Sequence, residues 1–111
     1  MIEKTVYDYL NRVMSVPAYM EMPKNPTNSF LLIEKTGTST NNHLETAIFA
    51  IQSHADTLFG AAALNEELKA AMDNIVVLDD IASCRINSDY NYTDGAMRDY
   101  RYQAVYQIVH Y

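Results

Sequence analysis

Apolar residues recur at spacings of four, four and three at the start of the chain: Ile2, Val6, Leu10 and Val13. That period predicts an amphipathic helix over 2–14, with Asp8, Asn11 and Arg12 on its wet side. Ser15-Val16-Pro17 ends it, because proline cannot continue a helix and drives the preceding residue out of the α region. A short strand is expected at 18–22, closed by Pro23, and the sequence KNPTN at 24–28 reads as a turn. The apolar run FLLIEKT at 30–36 predicts a strand, and 37–42 is turn-rich. Residues 44–52 predict a longer strand with Leu44, Ile48 and Ala50 on one side and Ala47, Phe49 and Ile51 on the other. Apolar residues on both sides suit a strand central in its sheet or covered on both faces. With only a short polar loop between them, these two strands form an antiparallel hairpin.

Ser53, with Asp56 three residues on, has the look of a helix N-cap. The helix it predicts runs to about Asn74, burying Leu58, Ala61, Leu68, Met72 and Ile75 beside small alanines, with Glu66, Glu67, Lys69 and Asp73 in water. Gly60 is the one residue there that disfavours a helix, by about 1 kcal/mol against alanine. Residues 81–88 alternate Ala82, Cys84 and Ile86 against Ser83, Arg85 and Asn87, a strand pattern, and DYNYTDG at 89–95 reads as a turn. From Tyr100 onward the alternation is the clearest in the chain: Tyr100, Tyr102, Ala104, Tyr106 and Ile108 against Arg101, Gln103, Val105, Gln107 and Val109. The predicted order is α-β-β-β-α-β-β. It implies an α+β fold in which a mainly antiparallel sheet of four or five strands carries two helices on one face. Its 111 residues suit one domain spanning 1–111, with no repeat or linker.

Charge narrows the function classes. Eight basic residues against fourteen acidic ones give a net charge of -6 and a pI near 4.8. A nucleic-acid binder normally shows a basic face, and an anionic lipid surface would repel this chain, so neither partner is expected. No segment approaches the roughly 20 apolar residues of a membrane helix, and the N-terminal residues do not read as a signal peptide, so synthesis and residence in a cytoplasm are expected. Cys84 stands alone, excluding an internal disulfide or a zinc-binding pair, and its alternating position suits a small buried residue. The nine tyrosines, clustered toward the two ends of the chain with no tryptophan, are the compositional oddity. Tyrosine favours both strands and interfaces, because its ring packs while its hydroxyl stays wet.

Motifs for chemistry are missing. His43, His54 and His110 have no ligand-spaced companions, and no nucleophile sits in an activating sequence context. The three glycines are too scattered for a phosphate-binding loop. Asp79 and Asp80 are adjacent and would point apart. A calcium loop begun at Asp89 would place Asp94 where glycine is required and Tyr100 where glutamate is required. No catalytic residue, metal or cofactor is therefore expected.

Several phrases resemble a known group of proteins: FLLIEKTG at 30–37, AIFAIQSHA at 47–55, SDYN at 88–91 and YRYQA at 100–104. Together with the order of elements, they are similar to the tail terminator and tail completion proteins of long-tailed bacteriophages and prophages. The resemblance implies a virion protein, made in the bacterial host, that forms a hexameric ring at the head-proximal end of the tail tube and helps join head to tail. Its implied partners are copies of itself, the tail-tube protein and head-completion proteins. No fixed motif in that family marks the contact residues. From the residues themselves, Tyr90, Tyr92, Tyr100 and Arg101 are the expected interface, since tyrosine and arginine are enriched as anchors. The loops 37–42 and 89–95 are the segments expected to project. The competing expectation places Tyr100 in the core and leaves Arg101 merely solvated. A small intracellular protein- or ligand-binding module is the alternative function. An enzyme would need distant residues such as His54 and Asp79 or Asp80 to meet an arginine in a cleft.

Overall fold

The computed structural model describes residues 1–111. It contains helix α1 (Ile2–Val13), strands β1 (Ala18–Tyr19), β2 (Phe30–Asn41) and β3 (Leu44–Ala55), helix α2 (Leu58–Asp73), a 3₁₀ turn (Ile75–Val77), and strands β4 (Ile81–Asn91) and β5 (Tyr100–His110). The sheet order is β1-β2-β3-β5-β4. Only the β1–β2 pair is parallel, and every other neighbour is antiparallel. This is the α+β arrangement and element order that the hydrophobic pattern predicts.

Both helices lie on one face of the sheet. Ile2, Val6, Tyr9 and Leu10 of α1 and Leu64, Leu68 and Met72 of α2 share a core with Leu31, Ile33, Ala47, Phe49, Ile51, Ala104, Tyr106 and Ile108. Alternation then dictates the opposite face, which carries Glu34, Ile48, Gln52, Gln103, Val105 and Gln107 and has no helix over it. The central position of β3 agrees with its apolar pattern, but helices cover only its Ala47, Phe49 and Ile51 side. The Tyr9 hydroxyl donates to the Ala71 carbonyl at 2.6 Å, and the Glu67 carboxylate accepts from the Ser15 N–H and hydroxyl, each at 2.8 Å. These bonds lock the two helices together over the sheet.

Several boundaries move. Residues 37–41 are not a loop but the end of β2, so what projects is a long hairpin arm. It turns at Asn42 and His43, both at positive φ (51° and 68°), as a tight two-residue turn between twisted strands demands. A bulge at Thr36 lets β2 keep pairing past Lys35. Strand β3 continues three residues past Gln52, so Ser53 is a fully buried strand residue and the α2 N-cap is Thr57, whose hydroxyl accepts from the Gly60 N–H at 2.9 Å. Strand β4 continues to Asn91, taking in the first residues of the expected turn. A bulge near its start turns Ile81, rather than Ala82, into the core. Strand β1 shrinks to two residues, Ala18 and Tyr19, which pair in parallel with Leu31 and Leu32 and leave the rest of the β2 edge open. Val13 is exposed, and Tyr9 takes its place on the buried face of α1.

Candidate protein interface

One end of the sheet gathers the ends of β3 and β4, the starts of β2, β5 and α2, and the loops at 20–29 and 92–99. It is here called the base, and the hairpin turn at Asn42 and His43 marks the opposite end, the tip. Three of the four residues expected at an interface meet at the base. Arg101 on β5 donates through Nε to the Tyr92 carbonyl at 2.8 Å and through Nη1 to Asp99 Oδ2 at 2.9 Å. Its guanidinium lies 4.8 Å from the centre of the Tyr92 ring. The Tyr90 and Tyr92 rings meet edge to face at 5.9 Å. Arg101 is thus not merely solvated: it fastens the β4–β5 loop to the sheet. Tyr100 occupies the opposite face of β5 from Arg101, as strand alternation requires. It is half-buried in the wall of a cleft and does not join the Tyr90–Tyr92–Arg101 group.

The β4–β5 loop is well tied down. Asp94 and Asp99 exchange both backbone hydrogen bonds at 3.1 Å, and the Thr93 hydroxyl accepts from the Arg101 N–H at 3.2 Å. Arg98 adopts a left-handed conformation with φ 52° to close this turn. Asp99 then reaches across to β3, where its Oδ1 lies 3.2 Å from His54 Nδ1. The His54 ring stacks on Phe30 with centroids 4.5 Å apart and planes 9° apart. Loop, Phe30 and Gln52 together leave His54 only 3 % exposed although no helix covers its face. Burial lowers the His54 pKa below the usual imidazole value. The Asp99 carboxylate opposes that shift and the Arg101 charge adds to it.

Beside this group lies a cleft of about 470 Å³ walled by Met22, Phe30, His54, Asp56, Arg98 and Tyr100. Large apolar side chains stand free at the same end: Phe59 is 85 % exposed, Met97 76 % and Met22 51 %, with Leu58 next to Phe59. The histidine, the two glutamines behind it and these apolar groups escape sequence reasoning. The only trace is parity, which puts Arg101 with Gln103 on one strand face; Gln52 and His54 share a face only once β3 runs on to Ala55.

A second cleft of about 480 Å³ sits at the tip, lined mainly by polar residues including Glu3, Lys35, His43, Glu45, Asp80 and His110. Lys35 pairs with Glu3 at 2.8 Å, and His110 Nε2 lies 3.6 Å from Glu45 Oε2. Asp80 is therefore at the far end of the molecule from His54, and the two do not meet in one cleft. No three His, Cys, Asp or Glu side chains converge in metal-binding geometry. Burial pushes the Cys84 thiol up to about 11, which keeps it protonated and unreactive at neutral pH. No helix is long and apolar enough to cross a membrane. No protein-family description matches this chain, and no curated protein sequence matches it.

Proposed function

We propose that this protein is a non-enzymatic phage structural component, a tail terminator or tail completion factor that acts by assembling with copies of itself and with tail-tube and head-completion proteins. The observation that carries the reading is the set of exposed side chains at the base: Tyr90 and Tyr92 beside the fixed Arg101 guanidinium on the uncovered sheet face, Phe59 at the start of α2 and Met97 in the β4–β5 loop. Monomeric soluble proteins rarely group large exposed side chains of this kind without a partner for them. The sheet supplies further support. Strand β4 has no neighbour on its outer edge, and β1 covers only Leu31 and Leu32 of β2. Two different open edges supply the two unlike surfaces a head-to-tail contact between successive subunits uses, and such contacts form a ring when the rotation between subunits closes. The resemblance of several sequence phrases to those of tail terminators supports the ring's proposed place, at the head-proximal end of the tail in the virion.

The alternative, a small protein- or ligand-binding module, draws on the base cleft, whose volume suits a small molecule. Its mixed lining of Asp56, Arg98, Asp99 and Thr27 fits a protein contact at least as well. Light scattering over a range of concentrations, with and without a tail-tube protein from a long-tailed phage, tests the proposal. Rings, alone or on tube ends, are the expected result. A protein that stays monomeric throughout and ignores the tube would refute it.

A further inference from the structure

At the base of the uncovered sheet face, one line of hydrogen bonds crosses three strands. It starts at Asp99, passes through His54 and Gln52 on β3 and Gln103 on β5, and ends at the Tyr90 hydroxyl on β4. His54 Nε2 lies 2.9 Å from Gln52 Oε1, Gln52 Nε2 donates to Gln103 Oε1 at 3.1 Å, and Gln103 Nε2 donates to the Tyr90 oxygen. Both ring nitrogens of His54 thus face oxygen acceptors. That arrangement is complete only when both carry a proton, in the imidazolium form.

With a single proton, the Asp99 carboxylate holds it on Nδ1, and Nε2 turns a lone pair toward Gln52. A lone pair needs a donor there. A half-turn of the Gln52 amide supplies one, but it also places the Gln52 carbonyl opposite the Gln103 carbonyl, so Gln103 must turn as well. The Tyr90 hydroxyl then donates to Gln103 Oε1, Gln103 to Gln52 Oε1, and Gln52 to His54 Nε2. Every group is satisfied in either direction, whereas turning one amide alone leaves two like groups facing each other.

We propose that this array is a proton-driven reversing relay, in which uptake of one proton by His54 turns the Tyr90 hydroxyl from a donor committed to Gln103 into a donor offered at the surface. The step takes one proton from solvent and leaves it on Nε2, and the remaining changes are hydrogen-bond exchanges. Tyr90 is 40 % exposed, so a partner touching it meets oxygen lone pairs in one state and a hydroxyl hydrogen in the other. The charged groups around His54 are Asp99 and Arg98 from the β4–β5 loop, Arg101 from β5 and Asp56 from the β3–α2 turn, while β2 contributes only the Phe30 ring. Burial of His54 sets the single-proton direction as the resting one at neutral pH. The device follows from side-chain geometry and stands whether or not the protein forms a ring.

Nitrogen-15 NMR of the histidine side chains in the full chain, followed across pH together with the Tyr90 ring signals, tests it. Above its midpoint, wild-type His54 is expected to carry its proton on Nδ1, and the Tyr90 signals are expected to move with the His54 midpoint. Gln103→Glu places an acceptor-only group in the line and so fixes the Gln52 carbonyl toward His54. The His54 midpoint should rise by about one pH unit or more. The introduced carboxylate accepts from both Gln52 and Tyr90 whatever the state of His54, so the Tyr90 signals should stop following the His54 midpoint, which added charge alone would not cause. A wild-type neutral tautomer protonated on Nε2, or a Tyr90 ring indifferent to the His54 midpoint, overturns the relay even if the variant does not fold. So does a Tyr90 ring that still follows the His54 midpoint in a folded Gln103→Glu protein.

Discussion

His54 shows how much one side chain can owe to its neighbours. It stands on the helix-free face of β3, yet Phe30, Gln52 and Asp99 enclose it. Its folded pKa is depressed, chiefly by burial, so between that value and the ordinary ~6.5 the unfolded chain binds more protons than the folded one. The stability linked to His54 is therefore complete above pH ~6.5 and drains away as pH falls through the folded pKa. Denaturant titrations should show this loss in the native sequence and a flatter profile in His54→Gln over the same window. A native midpoint that rises on mild acidification would contradict the assignment. Glu3 is held below the usual carboxylate range by its bond to Lys35.

At the level of the element, the start of α2 is decided by a contest between two candidate caps. Ser53 and Asp56 fit the local rule, but by running on to Ala55 β3 gains two further residues of pairing with β2 and three with β5. Thr57 then takes the cap, and Gly60 fits closely beneath it: an added Cβ would lie 3.0 Å from the Thr57 hydroxyl and 3.2 Å from the Ala55 Cβ. Thr57→Ala should cost about 1 kcal/mol. Gly60→Ala in the native background should return clearly less than the ~1 kcal/mol helix preference of alanine, and more once Thr57 is alanine. Simple additivity in that four-protein cycle, measured by chemical denaturation, would show that the cap and the glycine are not coupled.

For the molecule as a whole, the inside and the outside obey different rules. The core is a single cluster, with Phe49, Ile51, Leu68 and Ile108 shut off from solvent between helices and sheet. The exterior leaves Phe59 and Met97 bare at the base and the edges of β2 and β4 open. Because Phe59 makes almost no buried contact, Phe59→Asp should change folding stability by no more than about 0.5 kcal/mol. If the base is an assembly surface, the same change should weaken self-association or tail-tube binding by about tenfold or more. Full assembly by a normally folded Phe59→Asp protein would remove the base from the contact.

The sequence by itself determined the number, type and order of the elements, because burial on one face imposes a period of 3.6 on a helix and 2 on a strand. It also placed Arg101 and Gln103 on one face of the last strand by parity, whereas Gln52 and His54 share a face only because β3 runs on past Gln52. Only the tertiary structure decided where strands stop, since Ser53 to Ala55 and Asp89 to Asn91 become strand through bonds to distant partners. Only tertiary structure put β5 between β3 and β4, and so aligned His54, Gln52, Gln103 and Tyr90 across strands far apart in the chain. Local pattern records which face a residue takes. Which strand lies alongside is settled by the packing of the whole sheet.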